Sequence, residues 1–239
     1  MKYDAIVFDI DGTLIDYDYS QYLALSNLMD YIPWKSNAKP SEKEIFEIWF
    51  KEKLEIYKRP DSNKMGFYDQ QKIILENFLA HFGILSNSTK LAEILFDNYK
   101  ASWRLYPDVM SCLLKYSDIP LHIISNGDSD FQRLKLTNTG IENHFDEILI
   151  SGDIGIKKPD IKIYETLIDR INCKPDKLIY IGDRLEVDAV ASSDAGMLGI
   201  WINRKRRLEK KLPKSIVEIY SLSQLSQIMN WYLIPIDIY

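Results

Sequence analysis

Two carboxylates separated by one residue lie near the start of the chain, within residues 6–15. Asp9 and Asp11 follow a short apolar segment, residues 5–8, that is typical of a buried strand, and Gly12 follows in a turn. Because side chains alternate along an extended chain, both carboxylates can point toward the same small volume. Buried carboxylates are costly without a partner, and a hard divalent cation takes oxygen ligands. The pattern therefore favours a metal-dependent site in which the two carboxylates have different tasks on one reacting group.

A second polar segment ends the predicted strand at residues 121–124. It consists of Ser125, Asn126 and Gly127. A hydroxyl group and backbone amides at the end of a strand can bind an oxyanion. These residue types also form ordinary turns, so the segment alone leaves both interpretations open.

A lysine precedes the next predicted helix. Lys158 and Pro159 lie at its N-terminal end, where the helix dipole is already positive. A bound anion explains a cation at this place, and a solvated loop lysine is the alternative.

Two further carboxylates follow the predicted strand at residues 178–181. Asp183 and Asp188 lie five residues apart in a segment that enters a helix. With Asp9 they can complete an oxygen-rich magnesium shell. The alternative for Asp183 is that it caps the following helix.

Strands and helices alternate over residues 105–239, which predicts an α/β fold: a parallel sheet with helices on both faces. The predicted strands are 5–8, 121–125, 147–150, 178–181, 198–202 and 216–220; the predicted helices are 107–115, 130–137, 159–171, 187–195 and 222–231. In such sheets ligands bind beyond the carboxyl ends of the strands. The four motifs therefore converge in one crevice, where they supply what phosphoryl transfer through an aspartyl intermediate requires.

Residues 17–104 show helical periodicity instead, with predicted helices at 19–29, 69–82 and 89–103 and a capping box that starts at Ser41. We therefore expect two domains: residues 1–16 with 105–239, and an inserted helical domain at 17–104. The inserted domain is rich in aromatic residues. These are expected to pack in its core, with stacking on a nucleobase as the alternative.

Composition narrows the possible partners. The chain has 239 residues, of which 46% are hydrophobic, and a net charge of −5. We expect no nucleic-acid partner and no membrane association. The basic run at residues 204–211 is expected to be a solvated loop, with contact to RNA or to a phosphate-rich partner as the alternative. Cys112 and Cys173 have no metal-site spacing, so a reducing, cytoplasmic compartment is expected.

With these motifs together, the chain resembles the haloacid dehalogenase-like hydrolase superfamily in its phosphatase branch, and within it the pyrimidine 5′-nucleotidase type. The resemblance implies a Rossmann-like core, with the strand of the first motif central, and an α-helical cap inserted after that strand. One departure is Tyr17, because many relatives have a serine after the acidic residue at position 16.

The resemblance also implies a role for each motif residue. Asp9 would be the nucleophile, and Asp11 the general acid and then the base for water. Ser125 and Asn126 would bind the phosphoryl group, and Lys158 would neutralise its charge and that of Asp9. The implied cofactor is Mg²⁺, and the implied metal residues are Asp9, Asp11, Asp183 and Asp188.

The expected function is therefore a Mg²⁺-dependent phosphatase of a small phosphorylated metabolite, acting as a monomer or homodimer. Nucleoside 5′-monophosphates are the first expected substrates and sugar phosphates the second. A phosphomutase and a non-catalytic sensor or scaffold remain alternatives, whereas Asp11 argues against a dehalogenase of the same superfamily.

Overall fold

Two compact units make up the part of the chain that the computed structural model describes, which is residues 3–34, 39–59, 65–209 and 212–230. One unit contains the described residues up to Tyr17 and those from Trp103 onwards. The other contains the described residues from Asp18 to Ser102. The boundaries expected from sequence, at residues 17 and 104, differ from these limits by one and two residues.

A parallel sheet forms the centre of the first unit. Its six strands within the described residues are β1 (Ala5–Phe8), β2 (Leu121–Ser125), β3 (Glu147–Ile150), β4 (Leu178–Gly182), β5 (Leu198–Ile202) and β6 (Val217–Ile219). Their order is β3-β2-β1-β4-β5-β6, and every neighbouring pair is parallel. The strand that carries the first motif is therefore central, and the predicted α/β fold is confirmed.

Both faces of this sheet are covered because the strands are apolar on both sides. Ile6 and Phe8 of β1 belong to one buried cluster, whereas Ala5 and Val7 belong to a second on the opposite face. Strands of a parallel sheet that are buried on both faces read as continuous apolar runs. This burial gives the sheet a rigid edge on which polar side chains can be placed.

The helices of the first unit connect these strands. They are α5 (Val109–Lys115), α6 (Ser129–Asn138), α7 (Ser151–Ile154), α8 (Ile161–Ile171), α9 (Ala191–Asp194) and α10 (Leu225–Asn230). The predicted helix at 187–195 instead consists of a π-helical segment, Leu185–Val190, followed by α9. The helix predicted to start at Pro159 starts at Ile161, after its N-cap Asp160.

Four helices make up the second unit: α1 (Tyr17–Leu28, from Asp18 onwards), α2 (Glu42–Lys58), α3 (Phe67–His81) and α4 (Ser88–Ser102). The Ser41 hydroxyl accepts a hydrogen bond from the Glu44 amide and caps α2. Trp49 and Phe78 are buried and meet edge to face in this unit's own core. Aromatic residues also remain on its surface, such as Phe50 and Tyr57. Among the described residues, no helix is long and apolar enough to cross a membrane.

Candidate active site

The first motif forms a tight loop directly after β1. Asp9 extends the sheet, because its amide donates to the Ile181 carbonyl at 2.9 Å. Gly12 has a φ of +80°, and a Cβ atom there would lie 2.6 Å from the carboxyl group of Asp183. Glycine is therefore needed for both its backbone conformation and its small size. The loop thus brings the first and fourth motifs into contact.

The ammonium group of Lys158 is buried at the centre of the site, with only 4% of the residue exposed. Its Nζ lies 2.7 Å from an oxygen of Asp9 and 2.7 Å from an oxygen of Asp188. It also lies 2.8 Å from the Tyr180 hydroxyl and 3.1 Å from the Ile124 carbonyl. Burial alone would lower the pKa of Lys158, but the two carboxylates outweigh burial and raise it. Removing one partner from such a buried pair costs about 3–5 kcal/mol.

The second motif holds both Asp9 and Lys158. The Ser125 hydroxyl, at the end of β2, donates to Asp9 Oδ1 at 3.3 Å. The Asn126 side chain accepts from the Lys158 amide at 2.8 Å and donates to the Lys158 carbonyl at 2.9 Å. Asn126 therefore fixes the backbone of Lys158 through its side chain, a role that the sequence did not indicate.

Three carboxylates of the first and fourth motifs meet at this edge of the sheet. Oxygens of Asp9, Asp183 and Asp188 all lie within 4.8 Å of one another. Burial, together with the neighbouring carboxylates, raises the pKa of Asp9 to about 6 and that of Asp183 to about 7. Clustered carboxylates of this kind repel one another until a cation joins them.

These residues fit a divalent metal ion. The donors are all carboxylate oxygens, which suits Mg²⁺. Within the described part of the chain, no protein group donates to the Asp183 carboxylate, and both recorded donors to Asp9 reach its Oδ1. Asp188 is occupied differently: its Oδ1 accepts from Lys158 and its Oδ2 from the Arg184 amide at 2.9 Å. The free oxygens are thus those of Asp9 and Asp183, and no hydrogen bond supports the alternative that Asp183 caps a helix.

The carboxylate of Asp11, which the resemblance placed among the metal residues, contacts side chains of helix α6 and lies outside this group of three. Lys135 Nζ lies 2.8 Å from Asp11 Oδ1 and 2.7 Å from Oδ2, and Gln132 Nε2 donates to Oδ2 at 3.0 Å. Sequence reasoning singled out neither of these partners. The available signal was their spacing: they lie three residues apart on α6 and are buried like Phe131 and Leu136 on the core-facing side of that helix.

Two arginines of the basic run, Arg204 and Arg206, make contacts within the protein, whereas a solvated loop was expected. Arg204 donates to both oxygens of Asp108 at 2.9 and 3.0 Å and to the Thr13 carbonyl at 2.7 Å. Arg206 lies over the ring of Tyr220. The end of the run, residues 210–211, lies outside the described residues.

Comparisons with known proteins agree with this geometry. The family model of haloacid dehalogenase-like hydrolases matches residues 3–196. The chain is 29% identical to glyceraldehyde 3-phosphate phosphatase of Methanothermobacter thermautotrophicus, over 94% of this chain and 99% of that protein. It is 26% identical to the pyrimidine 5′-nucleotidase PynA of Streptococcus pneumoniae, over 94% of each.

Solved structures share the fold. The HAD-hydrolase YfnB of Bacillus subtilis, solved bound to magnesium, has a TM-score of 0.77 at 21% identity, covering 96% of this chain and all of that one. The L-2-haloacid dehalogenase of Xanthobacter autotrophicus has a TM-score of 0.73 at 18% identity, covering 96% of this chain and 99% of that one. The family resemblance inferred from the four motifs is confirmed: the chain belongs to the haloacid dehalogenase-like hydrolase family.

Proposed function

We propose that the protein is a Mg²⁺-dependent phosphatase of small phosphomonoesters that works through an aspartyl-phosphate intermediate on Asp9. The carrying observation is the position of Asp9. One of its oxygens is fixed by Lys158 and Ser125, while no donor from the described residues reaches the other. A nucleophile held at one oxygen and free at the other is oriented for attack.

In the first step, the free oxygen of Asp9 attacks phosphorus and the bond from phosphorus to the leaving oxygen breaks. Asp11 gives a proton to the leaving oxygen, which departs as an alcohol. In the second step, Asp11 takes a proton from water as that water attacks phosphorus, and Asp9 is released as a carboxylate with inorganic phosphate. Ser125 and Lys158 are the donors that stabilise negative charge on the phosphoryl oxygens in both steps.

The metal residues in this proposal are Asp183 and Asp9, which would contribute the oxygen that does not attack phosphorus; Asp188 supports them through Lys158 and the Arg184 amide. When bound, Mg²⁺ supplies charge neutralisation for the transferred phosphoryl group. The magnesium in YfnB supports this choice of ion for a chain of the same fold.

Nucleoside 5′-monophosphates are the first proposed substrates and sugar phosphates the second. The similarity to PynA supports nucleotides, and the similarity to glyceraldehyde 3-phosphate phosphatase supports small sugar phosphates. In this proposal the motif residues act on the phosphoryl group, the leaving oxygen and the metal ion, so selection among esters falls to the helical unit, for which we propose the role of a cap.

The test is a comparison of kcat/KM over nucleoside monophosphates, sugar and triose phosphates and a phosphoprotein, with Mg²⁺ and in excess chelator. We expect a small ester to be hydrolysed best, and only with metal. A sugar phosphate that exceeds every nucleotide by more than about tenfold, or 1.4 kcal/mol of transition-state discrimination, would overturn the nucleotide choice. Preference for the phosphoprotein would overturn the cap, and turnover of a haloacid without phosphatase activity would overturn the whole proposal.

A further inference from the structure

Lys135, a buried lysine outside the four motifs, contacts the carboxylate of Asp11, the proposed acid–base residue. The side chain of Lys135 is 2% exposed, and its ammonium group contacts both oxygens of Asp11, at 2.7 and 2.8 Å. The Asp11 side chain is 27% exposed, so one face of this carboxylate remains open while the other is held. An ammonium group that contacts both oxygens restrains rotation of the carboxylate as well as its position.

Two aromatic rings enclose the same ammonium group. Nζ of Lys135 lies 5.0 Å from the ring centre of Tyr17 and 4.9 Å from that of Phe131. Trp103 packs edge to face against Phe131 at 5.2 Å. A cation held over ring faces is attracted to them and is shielded from water. Tyr17, the departure noted in the sequence, therefore contributes to the enclosure of Lys135.

Gln132 links this pair to the phosphate-binding motif. Its Nε2 contacts Asp11 at 3.0 Å, the Ser125 hydroxyl at 2.8 Å and the Asn126 carbonyl at 3.1 Å. A Cβ atom on Gly127 would lie 2.9 Å from Cγ of Gln132, so the glycine leaves room for this side chain. The amide thus sets the distance between the proposed acid–base residue and the proposed phosphoryl donor.

We propose that Lys135, seated by Tyr17 and Phe131 and assisted by Gln132, is the positioning residue that aims the Asp11 carboxylate at the reacting oxygens. The inference rests on the proposed function, because it gives Asp11 its task. Without the ammonium group, the Asp11 carboxylate keeps one donor among the described residues, the Gln132 amide, and is free to rotate toward water. Misplacement of a catalytic group by about 1 Å can cost about 10²-fold in rate.

The test uses Lys135→Met, which keeps the length of the buried side chain and removes its charge. The rate of phosphoryl transfer is measured in a single turnover, with an alkyl ester and with an aryl ester whose leaving group needs little protonation. We expect a loss of about 10²-fold for the alkyl ester and a much smaller loss for the aryl ester. Lys135→Arg should recover a large part of the alkyl-ester rate, because it restores donors to Asp11.

Arg133→Met is the matched control on the same helix. Arg133 donates to the Ile148 carbonyl and to Asp153, away from the site, so both rates should remain those of the wild type. Equal losses for the two esters in Lys135→Met, or equal losses in Lys135→Met and Arg133→Met, would overturn the positioning role.

A double variant separates positioning from general structure. In an Asp11→Asn background, Lys135→Met should cost little more, since Lys135 then has no carboxylate to aim. Losses that multiply would contradict the inference. If near-UV circular dichroism shows that Lys135→Met does not fold, Gln132→Leu takes its place. It is compared in the wild-type and Asp11→Asn backgrounds, and losses that multiply again contradict the inference. The activity of the wild type separates failure of the proposed function from failure of the positioning role. If the wild type has no phosphatase activity, the proposed function is wrong. If it has activity, unfavourable results with the variants overturn only the role of Lys135.

Discussion

Three carboxylates lie close to the ammonium group of Lys158 at the end of β1. Nζ of Lys158 lies 2.7 Å from an oxygen of Asp9 and 2.7 Å from an oxygen of Asp188. Asp183 is the third carboxylate of this cluster. The raised pKa of Asp183, about 7, follows from its burial beside these charges. Lys158 and, to a smaller extent, Arg207 lower the pKa of Asp183 without cancelling the effect of burial and of the neighbouring carboxylates, which is the physical reason to expect an exchangeable cation at this position.

Asp11→Asn tests the division of labour between the two carboxylates. The amide keeps the shape of the side chain but cannot move a proton, so hydrolysis should fall by about 10²–10⁴-fold. In single-turnover phosphoryl transfer the loss should be small for esters with good leaving groups and large for poor ones. An equal loss for both would contradict the acid role.

Residue types and spacing single out the motif residues, because buried carboxylates at the ends of apolar strands are costly without a partner. Residue type conceals Lys135 and Gln132, because lysine and glutamine on a helix are ordinarily solvated; only their spacing indicates the core-facing side of α6. Only the packing of α6 shows that these two side chains face Asp11. The second role of Asn126 was missed for a similar reason, since it depends on the fold placing Lys158 against it.

At the scale of elements, a partly buried ion pair joins segments that are distant in the chain. Asp108, the N-cap residue of α5, accepts from Arg204 beyond β5, from the Ser221 hydroxyl at 2.6 Å and from the Leu222 amide at 2.8 Å. Arg204 in turn donates to the Thr13 carbonyl in the first-motif loop. The pair therefore ties that loop to the elements around it.

The ion pair of Asp108 and Arg204 should make the free energy of unfolding depend on pH. Burial raises the pKa of Asp108, but its donors, Arg204 and Ser221 first, outweigh burial and lower it. A lowered pKa in the folded state gives stability that is present above the unfolded value of about 3.9 and is lost as pH falls through the folded value. Asp108→Asn should cost about 1.5–3 kcal/mol of unfolding free energy near neutral pH. The difference from the wild type should shrink below about pH 3.9, and a difference that does not change with pH would exclude the ion pair as its source.

Element boundaries were predictable where apolar runs are bounded by turn residues, as in β1, β2, β3 and β5. The segment after β4 was not, because its path follows hydrogen bonds that sequence patterns do not carry. There Asp188 turns back to the Arg184 amide and to Lys158, and the backbone forms a π-helical segment instead of a regular helix. Such segments often occur at functional sites.

At the scale of the whole molecule, the proposed chemistry and the proposed selection of substrate belong to different units. All the motif residues lie in the unit that contains the sheet, whereas the aromatic-rich helices form the other unit around their own core. This division explains how sequence could predict the reaction class more closely than the substrate. Motifs for phosphoryl transfer are local, whereas base or sugar recognition depends on which aromatic side chains stay exposed.

Mg²⁺ should raise the free energy of unfolding as its concentration increases above its Kd. At a hundredfold excess over Kd, a ligand that binds only the folded state adds about 2.7 kcal/mol. The melting temperature of the wild type should rise on titration with Mg²⁺, and Asp183→Asn should remove most of this rise. Glu186→Gln, an exposed neighbour outside the carboxylate group, is the control and should keep it. An identical rise in all three proteins would place the ion elsewhere.

Covalent capture of the phosphoryl group tests the central claim most directly. Acid-quenched turnover of an aryl phosphate with Mg²⁺, followed by peptide mass spectrometry, should find one phosphoryl group on the peptide that contains Asp9. Asp11→Asn should accumulate more of it, because hydrolysis of the intermediate is slowed. Asp9→Asn should show no adduct and no turnover above trace in a protein that near-UV circular dichroism shows to be folded. A phosphoryl group on another residue, or sustained turnover by folded Asp9→Asn, would contradict the account.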